Sequence, residues 1–175
     1  MLYWRKVRGS ERLADLIASV RRNHALEHAT ISILMGRLGQ NSRMIGRATR
    51  NGFYVYGNVS TERLEESSSE ALFRLKRGES HLAISPMCGT NLAVAGLLAG
   101  LSSLATLGNR SRAERLPSVL LASILAVVAA QPIGRLVQKY LTTHPDLSDT
   151  EIVGVREGGR GPGRFHKVET VRITS

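Results

Sequence analysis

A chain of 175 residues holds one domain, or one domain carrying an insert, and its 42% apolar content excludes an intrinsically disordered polymer. A formal charge of +10 and a pI of about 10.8 direct attention to nucleic acid or to an anionic membrane surface. The 24 basic residues are scattered without interleaved aromatics, and no zinc-finger or RNA-recognition signature is present, so nucleic acid is not an expected partner. The single cysteine, Cys88, excludes an intrachain disulfide and suits a reducing compartment.

The opening "MLYWRKVRGS" is charged and lacks a following apolar run, so it does not read as a secretory signal peptide. Residues 11–38 are predicted to form a long helix. Its apolar positions Leu13, Leu16, Ile17, Val20, Ile31, Met35 and Leu38 follow the three-four spacing of one buried stripe. At about 100° per residue, His24, Glu27 and His28 of "NHALEHATI" (23–31) fall inside that stripe. A buried carboxylate costs several kcal/mol unless it is paired or bound to a cation. The imidazoles of His24 and His28, one turn apart, can converge on one ion beside Glu27. A buried Glu–His hydrogen-bond pair that fixes helix packing is the simpler reading of the same residues.

The spelling H-x-x-E-H is that of the inverzincin metalloproteases, where two histidines hold zinc and the glutamate works on the bound water. The chain is small for that class. It offers no persuasive downstream ligand among Glu62, Glu65, Glu66 and Glu70, so the peptidase reading is set aside.

Further along, "RATRNGFYVYG" (47–57) places Asn51-Gly52 between β-prone runs, the signal of a tight hairpin. Residues 60–78 read as a helix capped by Ser60 or Thr61 and stopped by Gly78. Residues 80–86 are predicted as a strand leading to Cys88. In "SPMCGTNL" (85–92), Cys88 lies in a Gly-containing turn before an apolar segment, with Thr90 or Asn91 as helix cap. A cysteine near a helix N-terminus has its thiolate favoured by unpaired amides and the helix dipole. Cys88 is therefore expected to complete a His24/His28/Cys88 zinc set with one position open and Glu27 as general base. A metal-free Cys88–His28 nucleophile–base pair and an inert buried cysteine remain as alternatives. His81 is a weaker ligand candidate, and His144 and His166 read as surface residues.

Residues 82–109 and 116–134 contain no charged side chain. Within them, "TNLAVAGLLAGLSSLATLG" (90–108) and "LPSVLLASILAVVAAQPIG" (116–134) approach the roughly 20 apolar residues that span a bilayer. Gly96 and Gly100 form a GxxxG pair that suggests homo-oligomer contact, and Ala122, Ala126 and Ala130 repeat every four residues. The connector "NRSRAER" suits a helical hairpin, and a buried soluble hairpin is the alternative. Basic residues number 14 in residues 1–89 and 7 in residues 135–175, against 3 in the connector. That bias puts both termini on the cytoplasmic side of a cell inner or plasma membrane. Finally, 151–157 and 166–174 read as two strands joined by "GGRGPG".

The expected fold is therefore an α+β membrane protein: a cytoplasmic α+β region with a two-helix transmembrane hairpin. The expected domains are an N-terminal α+β region (1–89), the hairpin (90–137), and a β-rich segment (138–175) packing on the N-terminal region.

With "EHATI" (27–31), "CGTNL" (88–92) and "QKYLTTHPDLSDTEIVGV" (138–155) in this order, the chain resembles a family of bacterial two-pass membrane proteins of unknown function. It is also distantly similar to a bacterial membrane family described as metal-dependent enzymes. That family carries a Glu-His motif, then His-Pro-Arg-Cys-Gly-Thr, then Leu-Thr-Thr-x-x-Pro-Asp. The resemblance runs from residue 23 to about 155 and implies Glu27, His28 and Cys88 as site residues. Thr142, Thr143, Pro145 and Asp146 form a further shared segment without an assigned role. The relative's histidine three residues before the cysteine is Ser85 here, so that either His24 substitutes or the metal site is weakened or lost. Two functions follow as expectations. One is a zinc-dependent, hydrolase-like membrane enzyme with an unnamed small-molecule or peptide substrate. The other is a non-catalytic membrane protein with a structural Glu–His cluster and a basic face for anionic lipid or a protein partner.

Overall fold

The computed structural model describes residues 2–39, 44–107, 112–159 and 163–173. Two compact units emerge, one made of Met1–Ile84 with Thr143–Ser175 and the other of Ser85–Thr142.

The first unit is α+β. It contains a long helix α1 (Leu2–Leu38), strands β1 (Ile45–Thr49) and β2 (Gly52–Tyr56), helix α2 (Thr61–Lys76) and a short 3-10 turn at Ser80–Ala83. Two strands close it, which we label β3 (Thr150–Gly158) and β4 (Phe165–Arg172). The four strands form an antiparallel sheet in the order β1-β2-β4-β3, so the last of these strands in sequence is central. Alternation sorts the faces: Phe53 and Val55 of β2 and Val168 of β4 are buried, whereas Tyr54, Tyr56 and Phe165 group on the other face. The inner face packs with Leu26, Ala29, Ile33 and Leu34 of α1, Leu64, Ala71 and Leu75 of α2, and Leu147. Each fully buried Leu or Phe contributes about 1.5–3 kcal/mol relative to an exposed one.

Local chemistry explains the element ends. Ser60 caps α2, its hydroxyl accepting from the Arg63 amide, and Gly78 takes a positive φ of 88° just past the helix. The β1–β2 turn centres on Arg50-Asn51 rather than on the expected Asn51-Gly52, since Thr49 pairs with Gly52. Gly52 supplies φ 127°, and a Cβ there would meet the Val168 carbonyl oxygen at 1.9 Å. This position needs glycine.

Two sequence expectations are corrected here. Residues 80–83 form a 3-10 turn, not a strand, because no neighbouring strand is present to pair with them. The predicted stripe of α1 is only in part its core face: Glu27 and His28 are buried and Leu38 packs on the core, but Leu13, Leu16 and Ile17 are exposed, and most of the core contact is made by Ala25, Leu26, Ala29, Ile33 and Leu34. Polar Asn23 and Thr30 mask that face in a hydrophobicity count, although both are buried with their polar groups bonded.

The second unit holds helices α3 (Gly89–Leu107) and α4 (Arg112–Val137), the latter continuing into a π-helical turn at Gln138–Thr142. The expected connector lies partly outside the described residues, and Arg112–Arg115 belong to α4. Both helices are long and apolar enough to cross a membrane. Their large side chains, such as Leu97, Leu101, Leu104, Leu120, Ile124 and Leu125, point outward, while Ala126 and Ala130 are buried. Ser103 and Ser123 hydroxyls meet at 3.0 Å between the helices. Below them Gln138 donates to Asn91 Oδ1 and to the Ser85 carbonyl, and accepts from the Ser85 amide. Gly96 and Gly100 are exposed on α3.

Candidate metal centre

The middle of α1 carries the site. Its backbone is held by Asn23, whose side-chain amide donates to the carbonyls of Thr49 and Arg50 and accepts from Thr170 Oγ1 at 2.8 Å. One side chain thereby joins α1 to the β1–β2 turn and to β4. The returning segment 143–147 is tied to the same stretch. The Arg21 guanidinium donates to the Thr143 carbonyl, and the His144 amide donates to the Arg21 carbonyl. Asp146 accepts from the Ser148 amide, which holds its carboxyl below the usual range, and Leu147 enters the core. The segment from Thr143 to Leu147 is thus a clasp on α1 within this unit, a role its residue types alone did not announce.

Glu27 and His28 are buried and His24 is partly so. The two imidazoles lie with ring centroids 4.3 Å apart, and His24 Nε2 is 3.9 Å from Glu27 Oε2. His28 Nδ1 sits 2.8 Å from the Ala83 carbonyl oxygen in the 3-10 turn. A carbonyl only accepts, so Nδ1 carries a proton and Nε2 is the ring nitrogen left for a ligand. Metal-bound histidines are fixed by this kind of outer hydrogen bond.

Glu27 reaches its position through a residue the sequence reading missed. A Cβ on Gly46 of β1 would lie 1.8 Å from Glu27 Oε1, so the carboxylate rests directly on glycine backbone. The only signal available was a glycine inside a β-prone stretch, which can mark close approach of another group.

Cys88 immediately precedes α3. Its sulfur accepts from the Thr90 amide at 3.3 Å, so the cysteine itself caps the helix in place of the expected Thr90 or Asn91. Asn91 instead donates to the Ser85 and Pro86 carbonyls. An amide donor at a helix N-terminus favours the thiolate. In sequence, four residues lie between Ala83, the residue bonded to His28, and Cys88. His24, Glu27 and His28 gather within the first unit, and Cys88 stands in the second. Two imidazole nitrogens with a neighbouring carboxylate are donor types that zinc accepts.

Other candidates fall away. Glu62, Glu65 and Glu66 are exposed on α2, and Glu70 is paired with Arg37 and Arg74. His81 and His144 are exposed. His166, expected at the surface, is fully buried on β4, with Nε2 3.2 Å from Thr61 Oγ1 and 3.8 Å from Glu157. Burial pushes its pKa below the ordinary value, although Glu157 pulls it up. A central strand buries every second side chain whatever its polarity, and a single sequence does not reveal which strand is central.

The chain is thus a small α+β unit with an inserted apolar helical hairpin, and its first helix carries His24 and His28 beside the buried Glu27. Residues 19–155 match a domain family of unknown function (DUF6391), and the chain belongs to that family. It is 35% identical over 135 residues to an uncharacterized protein of Picosynechococcus sp., an alignment covering 71% of this chain. The chain spans just under two thirds, 65%, of that relative's length. No solved structure matches the chain.

Proposed function

We propose that this chain is a two-span membrane protein with a divalent-metal site for hydrolysis, in which His24, His28 and Cys88 are ligands and Glu27 accepts a proton. The observation that carries the reading is the His28–Ala83 hydrogen bond, which leaves Nε2 for a ligand on a ring already fixed in orientation. The pairing of His24 and His28 beside the buried Glu27 supports it. Bound zinc would supply Lewis-acid chemistry. The chain's own residues do the rest: Glu27, resting on Gly46, is the carboxylate placed to take a proton.

The membrane part rests on the outward-facing leucines of α3 and α4. The core helix of a soluble protein buries such side chains, whereas only 6% of either candidate span is buried. The basic bias of residues 1–89 and 135–175 puts the α+β region on the cytoplasmic face.

One observation favours a second, non-catalytic reading: His24 already stands 3.9 Å from the Glu27 carboxylate, as a structural pair would. Metal analysis separates the two. Full-length protein, purified from membranes in detergent without chelator, should hold about one zinc per chain. Cobalt substitution should give a thiolate charge-transfer band that C88S abolishes. H28A should lose the metal while its circular dichroism stays helical. Absence of stoichiometric metal, or unchanged metal in folded H28A, would overturn the catalytic reading in favour of the structural one.

A further inference from the structure

On the first unit lies a small polar recess lined by Ser19, Arg22, Asn23, Arg50, Thr170 and Arg172, among others. We infer that this recess binds a phosphate-type oxyanion, either a free phosphomonoester or the headgroup of an anionic phospholipid.

The argument begins with charge. Three guanidiniums, from α1, the β1–β2 turn and the end of β4, line one small recess. Arg172 is paired with Asp149. Both Arg22 and Arg172 act on that same carboxylate, holding it below its usual range against the effect of burial. One aspartate therefore offsets part of three positive charges. Asp146 also feels Arg22, but its carboxyl is engaged by Ser148 in its own turn. Arg50 has no carboxylate partner among the described residues.

Rigidity is the second element. The floor is Asn23, buried, with its amide and carbonyl both bonded. Those bonds fix the carbonyls of Thr49 and Arg50, so the turn that presents Arg50 is anchored to α1. The Thr170 amide bonds the Asn51 carbonyl, and the Ile173 amide bonds the Asp149 carbonyl, which pins the end of β4. Guanidiniums on three separately anchored elements cost little further ordering when an anion arrives. The Ser19 hydroxyl, which accepts from Arg22 at 3.5 Å, keeps its own proton to donate. Planar guanidiniums with a hydroxyl donor are the chemistry that recognises a multi-oxygen anion, and carboxylate-free Arg50 is its strongest handle.

The test uses full-length protein in neutral detergent, titrated with inorganic phosphate by calorimetry. A second arm reconstitutes the same protein in phosphatidylcholine nanodiscs with or without phosphatidic acid and counts retained lipid by native mass spectrometry. R50Q removes an exposed charge, and R22Q leaves the Arg172–Asp149 pair in place. R47Q removes an equal charge elsewhere on the hairpin. Wild type should bind in at least one arm, with R50Q and R22Q each weakening binding about tenfold or more and R47Q leaving it unchanged. Phosphate binding without phosphatidic acid retention identifies a free phosphomonoester, and selective retention identifies a lipid headgroup. No binding in either arm, or equal effects of R50Q and R47Q, would overturn the inference.

Discussion

The two units use similar apolar side chains in opposite ways. In the α+β unit, Leu26, Leu34, Phe53, Leu64 and Leu147 are fully buried, and polar groups such as Asn23 and Thr30 are bonded wherever they enter the core. In the hairpin, Leu97, Leu104, Leu120, Leu121 and Ile124 face outward, and the helix contact is made by Ala126, Ala130 and the Ser103–Ser123 pair. Water drives the first arrangement, since it removes apolar surface from solvent. Lipid suits the second, because hydrocarbon gives leucine no reason to hide and leaves small residues and hydrogen bonds to join helices. The difference teaches that burial must be judged against the solvent each region meets.

The largest test of that contrast is Phe53→Ala in the water-facing core. It should cost about 3–5 kcal/mol, read as a lower denaturant midpoint for the α+β signal. Leu125→Arg on the outer face of α4 should cost about 2.5–3.5 kcal/mol of insertion, read as protein released by alkaline carbonate. If Leu125→Arg is neutral, the hairpin meets water and the contrast breaks. Gly46→Ala should cost about 1–3 kcal/mol, because its Cβ would displace the Glu27 carboxylate. A fall in zinc content together with that loss would sharpen the link between β1 and the cluster.

The smallest effect is conditional on pH. His166 is neutral when folded because burial lowers its pKa from 6.5, so the unfolded chain binds the proton more readily. The stability it contributes is complete above pH 6.5 and is lost as pH falls through the depressed folded value. Thermal unfolding of wild type should therefore drop more steeply on acidification than that of His166→Gln.

Much of this was legible in the residues. Ser60 and Gly78 marked the ends of α2, alternation marked β2, and the uncharged runs marked α3 and α4. Three local features were not. The face of α1 that meets the core is set by where the sheet lies, and Asn23 and Thr30 disguised it. Cys88 took the capping role because sulfur can accept an amide as Thr90 and Asn91 were expected to do. Gly46 and Glu27, far apart in sequence, are joined only by tertiary approach. Of the site itself, His24, Glu27, His28 and Cys88 stood out as polar or reactive groups in apolar surroundings. Their outer supports, Ala83 and Gly46, carry no side-chain chemistry to notice.

The sheet order has a consequence for synthesis. β4 is made after the other three strands of this sheet, yet it pairs with both β2 and β3 at its centre. Until it leaves the ribosome, β2 has only β1 beside it, and an isolated two-stranded hairpin is marginal in water. By then α3 and α4 have long emerged. The hydrophobic hairpin is thus committed to its surroundings while the flanking halves of the α+β unit are still waiting to be joined.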